Sequence, residues 1–136
     1  MKIILTTLIT IFSVITYGQV NRIDIELKKC MDSSENYTTL QMVECVNTAI
    51  DKWDTELNKA YKKLSDLLGP EQKEKLKLAQ REWIIYRDKE IEFSNKLYAD
   101  LKGTMWVIIA VQTKLDLIRK RTTELENYIT DISTEK

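Results

Sequence analysis

The sequence predicts an all-α fold, an up-and-down bundle of three long helices plus a short N-terminal helix tied by one disulfide. Three observations carry the fold class. Three Gly and one Pro in 136 residues leave few places for turns. Apolar residues recur at alternating spacings of three and four over two long stretches, the period of helices that pack along a seam. An apolar fraction of 43% suffices for one helical core in a chain of this length.

The chain opens with Lys2, an apolar run from Ile3 to Ile15 broken only by Thr and Ser, and then Thr16, Tyr17 and Gly18. Small residues at 16 and 18 suit a signal peptidase, so residues 1–18 read as a signal peptide and residues 19–136 as one helical domain. The run is shorter than the roughly 20 apolar residues that span a bilayer, and no lipobox Cys follows it. The mature chain is therefore expected to be periplasmic or secreted, without stable membrane insertion. In that oxidising setting two Cys and no third imply one disulfide, Cys30 to Cys45.

Ile23, Ile25, Leu27 and Cys30 mark a short amphipathic helix that ends in the polar stretch 32–39. Thr38 or Thr39 can cap the next helix. Its seam is Val43, Val46, Ile50, Trp53, Leu57, Ala60, Leu64 and Leu67. Gly69 closes it, and Pro70 opens a third helix with Glu71 and Glu74 near its positive end. Leu76, Ala79, Trp83, Tyr86, Phe93 and Leu97 form the seam of this helix, with Glu90 interrupting it. Gly103 and Thr104 punctuate again. The last helix carries Ile108, Val111, Leu115, Ile118, Thr122, Leu125, Ile129 and Ile132.

Charge and composition narrow the function. Lys plus Arg equals Asp plus Glu at 21 each, which gives no cationic field for nucleic acid. The chain has no His, and two paired Cys leave no thiolate nucleophile. Carboxylate pairs alone make weak grounds for catalysis on solvated helix faces, and no loop has the spaced Asp and Gly of a calcium site. The chain is thus expected to be a non-enzymatic protein that takes no cofactor or metal and binds another protein.

An unusual set of residues stands near the seams: Asp54, Leu57, Asn58 and Tyr61 on the second helix, and Gln80, Trp83, Tyr86, Arg87 and Asp88 on the third. If the two helices fold back about Gly69 and Pro70, residues of equal height have numbers summing to about 140, from the equal rise of both arms. Asp54 then meets Arg87, Asn58 meets Trp83, and Tyr61 meets Gln80. In one reading these groups satisfy one another and fix the hairpin register, since an unpaired buried donor costs about 1–3 kcal/mol. In the other, the exposed edges of Tyr86, Arg87 and Asp88 belong to a binding surface.

The run from Ala79 to Asp88, AQREWIIYRD, lies about twenty residues after DTELNKAY, residues 54–61, and both follow Cys30, Thr39, Met42 and Cys45. This pattern resembles the LprI-like family of bacterial envelope proteins over nearly the whole mature chain. The type member of that family is named as an inhibitor of lysozyme, so the resemblance implies a lysozyme-like muramidase as partner. Two departures qualify it. Family members commonly carry a second Cys pair where this chain has Ile91 and Val111, which implies that packing replaces the bond, and the type member is a lipoprotein. The alternatives that stay open are an envelope adaptor or structural module and an immunity protein against a wall-degrading toxin.

Overall fold

In a computed structural model, which describes residues 21–33, 35 and 38–135, the chain is four helices: α1 (Arg22–Met31), α2 (Thr39–Leu67), α3 (Pro70–Ala99) and α4 (Met105–Thr134). The expected signal peptide lies outside the described residues. Among those described, no helix is long and apolar enough to cross a membrane.

Local sequence sets each boundary. The Asn21 side chain accepts the Ile23 N–H and starts α1. Thr38, not Thr39, caps α2 in a reciprocal box: its hydroxyl accepts the Gln41 N–H, and the Gln41 carbonyl accepts the Thr38 N–H. α2 stops at Leu67. Gly69 is the N-cap of α3 with Pro70 at the first helical position, so two residues separate the helices. The α3–α4 turn needs Gly103, whose φ of +112° a side chain would strain.

The core is built mainly by α2 and α4. Val46, Ile50, Trp53, Leu57 and Leu64 of α2 bury against Leu115, Ile118, Leu125 and Ile129 of α4, as the two seams predict. The helices run parallel, since Asp24 of α1 bonds both Trp53 and Arg119, and Glu56 stands beside Glu126 further along. Thr122, on the α4 seam, is fully buried because its hydroxyl donates to the Ile118 carbonyl. α1 lies antiparallel on α2, with Cys30 bonded to Cys45. Ile23 and Leu27 face the core while Ile25 faces outward.

α3 departs from the predicted seam. Its inward stripe is Leu76, Gln80, Trp83, Arg87, Ile91, Ser94 and Tyr98, and only Ser94 is buried. Ala79, Tyr86, Phe93 and Leu97, expected in the core, are exposed. Ser94 can be buried because its hydroxyl donates to the Ile91 carbonyl, whereas Gln80 and Arg87 cannot be sealed under apolar neighbours without desolvating polar groups, so the rest of the stripe stays half-buried. The Tyr98 and Trp106 rings stack at 5.7 Å near the turn, and Arg121 Nε donates to Gln80 Oε1 at 3.0 Å further along. Between these two contacts the antiparallel register sets Ile91 level with Val111, where the resemblance implies a lost disulfide.

One carboxylate at the α2–α4 junction makes a pH prediction. Partial burial, and then the nearby Glu56, hold the Glu126 carboxyl above the ordinary carboxylate range. A carboxyl whose pKa is raised by folding favours the native state while protonated, and that contribution is lost as pH rises through the raised value. Glu126→Gln should therefore melt slightly higher than the parent at pH 7. The difference should close below about pH 4, where both side chains are neutral. Because Glu126 is largely solvated, the gain is expected to stay under about 1 kcal/mol, and calorimetry at the two pH values measures it.

Candidate functional site

Beyond their tight turn α2 and α3 scarcely touch, and a cleft of about 750 Å³ opens between them with α4 at its base. Ile50, Ile91 and Ile118, one from each helix, supply its apolar part. The polar lining is Asp51 and Asp54 from α2, Arg87, Asp88, Glu92 and Asn95 from α3, and Lys114 from α4. Four carboxylates thus face two cations, and one of those cations is engaged. Arg87 donates through Nε and Nη2 to Asp88 Oδ1 at 2.9 and 2.7 Å, and its guanidinium lies 5.4 Å from the centre of the Trp83 ring.

The cross-hairpin pairs expected from the sequence do not form. Their heights are right, because Asp54 and Arg87 both line the cleft, as do Ile50 and Ile91. Their partners are different. Arg87 pairs with its neighbour Asp88. Asn58 donates to the Asp54 carbonyl and carboxylate, at 2.8 and 3.3 Å, within α2. Gln80 turns to α4 and Arg121, whose own Nη1 reaches Glu124. The physical reason is the choice of partner for α2: its apolar seam is buried on α4, and Asp54, Asn58, Arg87 and Gln80 find partners on their own helix or on α4.

The motif residues therefore divide by location. Leu57 is core, and Tyr61 and Trp83 pack half-buried against it. Gln80 joins α3 to α4. Asp54, Arg87 and Asp88 line the cleft, and Tyr86 is exposed on a different face of α3. Asp51, Glu92, Asn95 and Lys114 complete the cleft and were not singled out in the sequence. The signal was present, since 51 and 54, and 88, 92 and 95, share helix faces at spacings of three and four. No group of His, Cys, Asp and Glu that could hold a metal ion occurs among the described residues. What the cleft offers is a concave, hydrogen-bonding, net acidic surface with an apolar floor.

Among solved structures, the chain is similar to an uncharacterized protein from Burkholderia thailandensis, with a TM-score of 0.77 and 21% identity. The match covers 84% of this chain and 56% of that one, so the present chain spans little more than half of the other, and the likeness is one of fold. No curated protein matches the sequence. The family model described as "Lysozyme inhibitor LprI" matches residues 30–125, an interval that holds both cysteines, the three cleft-forming helices over most of their length and every motif residue. The chain belongs to the LprI family.

Proposed function

We propose that residues 19–136 form an exported, non-catalytic protein that inhibits a lysozyme-type muramidase by docking on it. Membership of a family described by lysozyme inhibition carries the reading, and the matched interval contains the whole cleft lining. Charge gives the docking a physical basis. The overall charge is zero, and because Lys2 is the one charged residue of the first eighteen, the mature chain carries minus one. Attraction to a basic enzyme must then come from a local field, and the cleft provides one through Asp51, Asp54, Asp88 and Glu92. An Arg or Lys side chain of the enzyme fits there, its stem on the isoleucines and its head among the carboxylates.

The test is cell-wall lysis by a basic muramidase with and without the purified mature chain, repeated across salt concentration. Inhibition is expected, with the association rate falling several-fold between about 0.05 and 0.5 M salt as the Debye length shrinks. Unchanged lysis at a large molar excess over a panel of basic muramidases would reject the reading.

A further inference from the structure

The charges that line the cleft are not all paired inside the molecule. On α3, Arg87 is held by Asp88 at 2.7 Å and Glu92 by Lys89 at 3.0 Å, so that wall is neutral pair by pair. On α2 the Asp54 carboxylate accepts only the Asn58 amide, at 3.3 Å, and the Asp51 carboxylate has no partner among the described residues. At the base, the Lys114 ammonium makes neither a hydrogen bond nor an ion pair among the described residues. One cavity of about 750 Å³ therefore carries two uncompensated carboxylates on one wall and an uncompensated ammonium on another. A lone cation entering it is drawn by Asp51 and Asp54 and repelled by Lys114. A cation with a carboxylate beside it satisfies all three, through charge-assisted hydrogen bonds on both sides.

We propose that the cleft reads an oppositely charged pair on its protein partner: a basic side chain taken by Asp51 and Asp54, and an adjacent Asp or Glu carboxylate taken by Lys114. This rests on the docking role proposed for the cleft and narrows the partner's surface from a basic one to one that sets a basic residue beside an acidic residue. Lys114 is then the residue that determines specificity, since it rewards the mixed segment and disfavours a purely basic one. The neutral wall of α3 agrees with this division, because Arg87 and Glu92 are already matched and compete for neither half of the pair.

The sign of one substitution tests the proposal. If Lys114 only opposes the acidic field, Lys114→Gln strengthens docking on a basic muramidase; if it takes a carboxylate, the same change weakens docking. Inhibition about ten-fold weaker is expected at low salt, although the variant cleft is more acidic. Lys120→Gln, the same change of charge at an exposed α4 position outside the cleft, should stay within about two-fold of the parent. Two blocked dipeptides, arginine with glutamate and arginine with glutamine, probe the site without the enzyme, followed by amide NMR shifts of the cleft residues. The parent should bind the glutamate peptide several-fold tighter, against the order that net charge alone gives, and Lys114→Gln should lose that preference. A parent without preference for the glutamate peptide overturns the proposal, and so does tighter inhibition by Lys114→Gln. A parent that prefers the glutamate peptide but leaves every muramidase active would reject the muramidase as partner and uphold the chemistry of the site.

Discussion

Replacing Trp53 with alanine is expected to cost about 3–5 kcal/mol, the range for removing a large aromatic from a well-packed core. Trp53 is 2% exposed at the centre of the α2–α4 core, and its indole N–H donates to Asp24 at 3.3 Å. Alanine there leaves a cavity and also frees one of the ties that hold α1. Small domains are stable by only about 5–15 kcal/mol, so the variant should melt at least ~10 °C below the parent, and dichroism at 222 nm follows it. Phe at the same position separates the two causes. It refills most of the volume, so the part of the loss that remains reports the bond to Asp24. An alanine variant that melts within two degrees of the parent would show that α2 and α4 are not held as described.

Loss of the Cys30–Cys45 bond is the second large effect, and it should be local. The bond closes a loop with a sequence separation of 15, worth about 3 kcal/mol in the chain-entropy account. Cys45 is buried at the N-terminal end of α2, away from the Trp53 to Ile129 part of the core. α1 keeps other ties when the bond is cut: Trp53 and Arg119 to Asp24, and Lys52 to Glu26. Glu26 is held below the ordinary carboxylate range by Lys52 and Arg22, but it is solvated and adds little. A double Cys→Ser variant should therefore melt lower while keeping most of its helical signal. Hydrogen exchange should rise over residues 22–45 and stay near parental rates over 50–64 and 115–129. Uniformly faster exchange would mean that the disulfide supports the whole bundle.

The contrast between α2 and α3 explains how far the sequence could be read. For α2 and α4 nearly every third or fourth residue is apolar, and the structure buries the middle of both seams, with Val43, Ile108, Val111 and Ile132 half-buried and Leu67 exposed towards the ends. Period and burial coincide there because one face of each helix has one job. On α3 two faces compete. The seven-residue repeat marks a seam from Leu76 to Leu97, while the face turned to α4 carries Gln80, Arg87 and Ser94. Period alone cannot say which residues meet the rest of the chain: Leu76 and Trp83 turn inward, while Ala79, Tyr86, Phe93 and Leu97 stay outside. The hairpin arithmetic had the same limit. The connection through Leu68 and Gly69 fixes heights, so Asp54 and Arg87 do share a level, but height does not set the distance between arms. That distance depends on α4, whose apolar seam takes the matching face of α2. The cleft is thus a product of three helices and could not be seen in the two that carry the motif.

The central claim is that Asp54 and its neighbours form an open acidic site rather than a lock between helices. The most direct test measures stability and muramidase inhibition on one variant, Asp51→Asn with Asp54→Asn, which keeps side-chain shape and removes two charges from the cleft rim. An open site predicts a melting temperature within about two degrees of the parent, since neither carboxylate makes an ion pair across the cleft among the described residues. It also predicts inhibition at least ten-fold weaker, equivalent to about 1.4 kcal/mol of lost docking energy. A variant that melts several degrees lower yet inhibits as well as the parent would contradict the account.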